Sequence, residues 1–307
     1  MTLQKIKVVS VNTAEKPGIK TPVTRIEIFS TGIHNDANAG LKNQQIRLLD
    51  IVSIENYSKK TRKNYIPGEF SENITTYGLL KCNLQPLDRL QGENVELEIT
   101  QNKLKNQPDQ KIHSILESEL LIQDGFLSRI TQAGELKSGE FLSFVQKVFH
   151  ISVISLNPLA GYSFAEDTSS EKLQMTIRSL FLSLGRKVQI DFVSIACNEQ
   201  YFMKEVDVQL NKKPDVLFTL GGTGIGPWDF VPEVMKTKAQ KELNLLSGFL
   251  IMHLSNFHPE TLLNRHFLGT SNKTLIYCLP NSVHELEIYL QEINKTLIQA
   301  IYKMNDL

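Results

Sequence analysis

At 307 residues the chain is about two ordinary domain lengths, and 41% hydrophobic residues supply core material for both. Its 33 basic and 33 acidic side chains balance, which argues against a chain-wide field for nucleic acid or an anionic membrane. Cys82, Cys197 and Cys278 are scattered without a CxxC pair, which argues against a disulfide framework or a thiolate zinc site. The opening MTLQKIKVVS lacks a long apolar run, and no stretch approaches the ~18 apolar residues of a membrane span. The expectation is a protein of the reducing cytoplasm, with neither membrane nor nucleic-acid partners.

In chain order, short β-like runs come first: KIKVVSV, TRIEIFS, NVELEIT and FLSFVQKV, punctuated by KPG, IPGE and QGEN. Residues 46–58 and 112–119 read as short helices. Many brief strands predict a barrel or sandwich over residues 1–146. From residue 147 the texture changes. HISVISL, KVQIDFVSI, DVLFTL and TLIYCL read as buried strands. Residues 168–184 read as a helix, opened by a Thr168/Glu171 capping box and stopped by Gly185, with the stripe Leu173, Ile177, Leu180, Phe181 and Leu184. Further helices are predicted at 199–210, 232–242 and 246–256. The last one begins with a Ser282/Glu285 capping box and carries Leu286, Leu290, Ile293, Leu297 and Ile301. Strands alternating with helices predict an α/β domain over residues 147–307, with a mostly parallel sheet covered on both faces. Ligands of such sheets gather at the carboxyl ends of the strands.

DVLFTLGGTGIGPWDFVPEV, residues 215–234, is the most informative stretch. A buried strand runs into Gly221, Gly222, Thr223, Gly224 and Gly226, and Pro232 suits the first turn of a following helix. Glycines let backbone N–H groups approach an anion, and a helix N-terminus adds partial positive charge. Asp229 stands where it could reach a metal on phosphate oxygens. A tight strand-to-helix connection without a ligand is the alternative. The turn is not a Walker loop, because no Lys-Ser or Lys-Thr follows, and it lacks GxGxxG spacing.

Leu220-Gly221-Gly222-Thr223-Gly224, then Pro227, Asp229, Pro232 and Glu233, resemble the signature of the molybdopterin adenylyltransferase (Mog/MoaB-like) family. Asp167-Thr168-Ser169 resembles that family's Asp-x-Ser-Gly segment at the start of a helix. Pro259, Leu263, Arg265 and Gly269 resemble its later helix and turn, and Leu279-Pro280 its Leu-Pro-Gly. The resemblance covers about residues 148–303. It implies an α/β domain, often trimeric, that binds molybdopterin and ATP with magnesium and transfers AMP to the pterin's terminal phosphate. Carried over, it makes Asp229 and Asp167 the catalytic and magnesium-holding carboxylates. Gly221, Gly222, Thr223, Gly224, Gly226, Glu233, Arg265, Pro280, Asn281 and Ser282 become cofactor-binding, with Arg265 offsetting substrate charge. Several positions depart from the pattern. Leu156 and Asn198 stand at acidic positions, Ser170 for Gly, Trp228 for a frequent Arg, Val231 for Thr, Asn264 for Ser and Asn281 for Gly. Asn can enter the left-handed region, so Asn281 is expected to keep the turn.

Residues 31–49 and 67–78 carry a second pattern. Gly32, Asp36 and Gly40, then Gln45-Ile46-Arg47-Leu48-Leu49, Glu72 through Gly78 and Leu87-Asp88-Arg89-Leu90 resemble the MOSC family, named for the C-terminal domain of molybdenum-cofactor sulfurases. This implies a β-barrel over about residues 5–145 that handles the cofactor or its sulfur. The cysteine expected near Asn106 is missing, and Asn cannot replace a thiolate nucleophile. Cys82 is expected to be a buried structural residue. His34 with Asp36 reads either as a ligand pair or as a self-satisfied polar turn. His253 and His258, off the helical metal spacing, read as ordinary histidines, and Lys59–Lys63 as a solvated loop. Trp228 is either a core plug or a stacking platform for a flat ring.

Two functions from different classes follow. One is an enzyme of molybdenum-cofactor biosynthesis that adenylylates molybdopterin with ATP and magnesium. The other is a non-catalytic carrier of molybdopterin or molybdenum cofactor, in which both halves bind and hand over. Sulfur transfer at the barrel is a third, weaker option. Partners would be a pterin, a nucleotide and other cofactor-biosynthesis or molybdoenzyme proteins, with a homotrimer through the second half. No pyridoxal phosphate is expected.

Overall fold

The computed structural model describes residues 4–102, 124–157 and 168–307. They divide into two compact units, residues 1–147 and 148–306. The predicted helix at 112–119 lies outside the described residues.

The first unit is built from β1 (Lys5–Thr13), β2 (Thr21–Val23), β3 (Arg25–Phe29), β4 (Gly32–Ile33), β5 (Ile46–Asp50), β6 (Ile74–Tyr77), β7 (Arg89–Gln91), β8 (Glu96–Asn102), β9 (Phe126–Gln132), β10 (Gly134–Lys137) and β11 (Phe141–Val145). The main sheet runs β11-β7-β8-β9-β5-β6-β1-β2, and β11 also pairs with β1. That pairing closes a barrel and removes most open edge. Inward-facing Ile6, Val8, Ile46, Leu48, Ile74, Leu97 and Leu142 share one core. The expected helix over 46–58 is corrected. Residues Ile46–Asp50 are strand β5, and helix α1 is Ile51–Thr61. Pairing on both sides, with β6 and with β9, holds 46–50 extended. Asp50 then caps α1, accepting the Val52 N–H at 3.0 Å.

Lys20 and Asp36 form a fully buried pair, Nζ to Oδ2 at 2.6 Å. Asp36 also accepts the Asn38 N–H at 3.0 Å and the Asn73 side-chain amide at 3.0 Å. Burial pushes the Asp36 carboxyl upward, but the Lys20 and Asn38 hydrogen bonds outweigh it and hold the group below its ordinary value. Burial draws Lys20 below its ordinary value despite Asp36. Neither reading of His34 and Asp36 holds as stated: His34 is exposed, and Asp36 takes one local amide, Asn38, but is held chiefly from outside its turn by Lys20, Asn73 and Ala14.

The second unit runs β12 (Val148–Asn157), α2 (Thr168–Ser183), β13 (Lys187–Ala196), α3 (Glu199–Asn211), β14 (Val216–Leu220), α4 (Val231–Lys238), β15 (Lys241–Glu242), α5 (Asn244–Ser255), β16 (Phe267–Ser271), β17 (Thr274–Leu279) and α6 (Val283–Met304). The sheet order is β13-β12-β14-β17-β16-β15. The first four strands pair in parallel, while β17 with β16 and β16 with β15 pair antiparallel, so the sheet is mixed but mostly parallel. Strand β12 has its successors on opposite sides, β13 on one and β14 on the other. The carboxyl ends of β12 and β14 therefore form a topological switch point.

Three details differ from expectation. KVQIDFVSI is not buried: it is the edge strand β13, half exposed along its length, with β12 as its sole neighbour. The helix expected at 232–242 stops at Lys238, because Lys241 and Glu242 pair with Thr270 and Gly269. Leu173, Ile177 and Phe181 of α2 are buried as predicted, but Leu184 is partly exposed, beyond the helix end at Ser183. All five predicted apolar residues of α6 are buried. Among the described residues no helix is long and apolar enough to cross a membrane.

The barrel yields the first prediction. Asp36→Ala strands an ammonium in the core and should cost about 3–5 kcal/mol, read as a lower urea midpoint for the first unit's transition. The double variant Lys20→Met, Asp36→Leu should recover most of it. A single-variant loss below about 1 kcal/mol would show the pair to be dispensable.

Candidate functional site

Strand β14 ends at buried Leu220, and the chain turns at Gly221 and Gly222, whose φ angles are +89° and +67°. A Cβ on Gly222 would lie 2.7 Å from Val231 Cγ2 and 3.3 Å from Leu156 Cδ1. Only glycine fits there, by conformation and by space.

The turn is fastened at both ends. Gly221 donates its N–H to the Leu279 carbonyl of β17 at 2.9 Å. At the far end Gly226 donates to Asp229 Oδ2 at 2.8 Å, and the Asp229 N–H returns to the Gly226 carbonyl at 3.1 Å. Arg265 staples the middle. Its N–H donates to the Thr223 carbonyl at 2.6 Å and its Nε to the Gly224 carbonyl at 2.6 Å. Its remaining nitrogens reach the Asp229 carbonyl and the Glu233 carboxylate. Arg265 thus holds the carbonyls of Thr223, Gly224 and Asp229. Among the described residues the N–H groups of Gly222, Thr223, Gly224 and Ile225 donate to no protein acceptor. Successive unpaired amides ahead of a helix are a site for an anion.

The nominated residues fall into distinct roles. Gly221 and Gly226 spend their amides on the turn itself. Asp229 folds back over it, its Oδ2 2.6 Å from where a Cβ on Gly224 would stand. Arg265 and Glu233 pair with each other. Pro280 is buried, and Asn281 packs its Cβ toward Gly221 while its carbonyl accepts the Ser169 hydroxyl at 3.2 Å. The left-handed conformation expected for Asn281 is not adopted, since its φ is not positive. Ser282 is consumed in capping α6, its Oγ accepting the Glu285 N–H at 3.4 Å. Asp167 and the side chain of Thr168 lie outside the described residues. Leu156 sits in strand β12 rather than in a loop, buried against Gly222. Asn198 caps α3, accepting the Tyr201 N–H at 3.1 Å; Asn caps as well as Asp, without the charge. Trp228 is no core plug: it is 72% exposed.

Glu199 escaped the sequence reading. It lines a cavity of about 370 Å³ together with Ile225, Gly226, Asp229, Phe230, Glu233 and Arg265. Its only sequence signal is its place directly after the Asn198 cap. Glu199, Asp229 and Glu233 bring three carboxylates and Arg265 one guanidinium to this cavity. Asp229 is held by Gly226 and Glu233 by Arg265, however, and among the described residues no group of three or more such side chains is placed to hold a metal ion. On the other side of Asp229, burial and then the Asp229 charge push the Cys197 thiol up.

Half-buried His266 stands between Arg265 and the start of strand β16 at Phe267. His266 packs edge-on against Tyr289, ring centroids 4.6 Å apart, and neither ring nitrogen has a hydrogen-bond partner. Burial draws its pKa down to about 4. A folded value below the unfolded one of ~6.5 means this contribution is fully present above pH 6.5 and is lost as pH falls toward 4. The second unit should therefore weaken by up to about 3 kcal/mol over that window. His266→Phe should flatten that portion of the curve of unfolding free energy against pH. An unchanged slope in the variant would remove His266 as its cause.

Residues 165–300, which include the turn, match the family model described as "Probable molybdopterin binding domain". The chain is similar to molybdopterin adenylyltransferase of Helicobacter pylori, 25% identical over 148 residues, spanning 48% of this chain and 82% of that protein. It is also similar to molybdenum cofactor biosynthesis protein B of Staphylococcus epidermidis, 26% identical over 168 residues, spanning 52% of this chain and 92% of that one. Among solved structures, the molybdopterin biosynthesis Mog protein from Mycobacterium ulcerans is similar at 18% identity and TM-score 0.46, covering 53% of this chain and 100% of its own.

Proposed function

Since the second unit is a Mog/MoaB-like molybdopterin-binding domain, we propose that it holds molybdopterin with the terminal phosphate against the free amides of Gly222, Thr223, Gly224 and Ile225. The observation that carries this reading is the run of unpaired donors at the switch point. Backbone amides suit the task because they carry fixed dipoles and need no reorganisation when charge arrives.

The reaction we propose at this site is adenylyl transfer. A phosphate oxygen of the pterin attacks the α-phosphorus of ATP, the bond to the β-phosphate oxygen breaks, and its electron pair leaves with pyrophosphate. Such chemistry requires alignment and charge neutralisation more than a covalent protein intermediate. Magnesium commonly takes one or two carboxylates and completes its shell with phosphate oxygens and water. Glu199 would be the carboxylate to meet it, since Asp229 and Glu233 are engaged by Gly226 and Arg265 and among the described residues no group of three or more such ligands is placed to hold a metal ion. Bound there, it would neutralise developing charge on the phosphates. Arg265, fastened to two carbonyls, keeps the amides facing the ligand. Leu156 against Gly222 and the uncharged Asn198 favour a second reading, a carrier that binds the pterin and hands it on.

For the barrel we propose a MOSC-like binding module without sulfur chemistry. Burial, and then Asp50, push the Cys82 thiol up to about 11, so no thiolate is on hand near neutral pH. A cytoplasmic location, a homotrimer through the second unit, and handover to other cofactor-biosynthesis or molybdoenzyme proteins belong to the same proposal.

Purified chain given molybdopterin, ATP and magnesium should release pyrophosphate. Glu199→Gln combined with Asp229→Asn should slow release by roughly 100-fold. Tight pterin binding without release would select the carrier, and absence of pterin binding would sink both readings.

A further inference from the structure

Within the far fastening of the turn stands a residue that neither reading uses. Gly226, Pro227, Trp228 and Asp229 form a β-turn closed by the Asp229 N–H on the Gly226 carbonyl at 3.1 Å and tightened by the Gly226 N–H on Asp229 Oδ2 at 2.8 Å. Proline pre-sets its second position, and the third, Trp228, has no positive φ, which makes it a type I turn. The backbone flanking Trp228 is anchored again from outside. Its carbonyl accepts the Cys197 thiol at 3.6 Å, and the Asp229 carbonyl accepts from Arg265.

The indole itself is left out. Trp228 is 72% exposed, Ile225 beside it in the turn is 69% exposed, and among the described residues no ring or cation packs on the indole. A large aromatic held on a rigid backbone and turned to solvent has apolar area left to cover. It is also the sole tryptophan of the chain. The same turn offers the unpaired amides of Gly222 through Ile225, so an occupant combining a phosphate with a flat ring matches both features at once.

We infer that Trp228 is a stacking platform for the flat nitrogen heteroaromatic ring of a phosphorylated ligand whose phosphate lies on those amides, and that it sets specificity for ring-bearing over ringless phosphates. The inference rests on the phosphate cradle proposed above. A pterin and a purine share this chemistry, since each presents a π-face to the indole.

The test uses the full chain and four probes: hydroxymethylpterin phosphate, AMP, ribose 5-phosphate and inorganic pyrophosphate. In the native protein the single tryptophan's fluorescence should be quenched by a ring-bearing probe and not by the ringless pair. By calorimetry, Trp228→Ala should bind the ring-bearing probe roughly tenfold more weakly, leave ribose 5-phosphate and pyrophosphate unchanged, and be rescued by Trp228→Phe. The probe with the larger loss, pterin or AMP, identifies the ring. Equal binding of ring-bearing probes by native and Ala proteins overturns the platform while the cradle stands. Loss of pyrophosphate binding in the Ala variant makes Trp228 a holder of the turn and overturns the platform too. Failure of the native protein to bind pyrophosphate at all removes the cradle, and the platform with it.

Discussion

Four backbone N–H groups without acceptors, at the end of a buried strand, are the constraint around which the second unit is organised. Unpaired amides in a folded chain are uncommon because each costs free energy unless water or a ligand satisfies it. Here they are not left over from poor packing. The amides before and after them, Gly221 and Gly226, are paired, and the carbonyls of Thr223, Gly224 and Asp229 are all held by Arg265. The chain spends an arginine and two glycines with positive φ to keep one set of donors facing outward.

That arrangement follows from the sheet. Parallel neighbours β12, β14 and β17 end close together, and the reversal of strand order, β13 on one side of β12 and β14 on the other, places the turn at a topological switch point. Leu156 closes the floor with an apolar contact, and Asp229 closes the roof with its carboxylate. Asn198 starts helix α3, and the helix's first residue, Glu199, lines a cavity with Ile225, Gly226 and Asp229 at the far end of the turn. The first unit applies the same economy to a different end. Its buried Lys20–Asp36 pair is tied into backbone and amide donors and serves the packing of the barrel.

Features that depend on local backbone demands were readable in the amino-acid order. The glycine run could be placed because Gly221 and Gly222 take positive φ, which favours glycine, and a Cβ on Gly222 would meet Val231 and Leu156. The α6 stripe and the Gly185 stop were equally local. What could not be read was long-range. Arg265 was nominated as a group facing substrate charge, but its guanidinium is occupied by carbonyls 41 and 36 residues away in sequence and by Glu233. Asp229 looked free to meet a metal, and only three-dimensional closure shows its oxygen on Gly226. Glu199 carried no motif. Residues 46–50 looked helical because their apolar spacing suits either period, and pairing with β6 and β9 decided the matter.

The central claim concerns four amides, so amide NMR on isotope-labelled protein addresses it most directly. Titration with inorganic pyrophosphate should shift the Gly222, Thr223, Gly224 and Ile225 N–H resonances most. Those of Gly221 and Gly226, already bonded within the protein, should move least. Pyrophosphate that binds while these four resonances stay still, with the largest shifts elsewhere in the chain, would contradict the account.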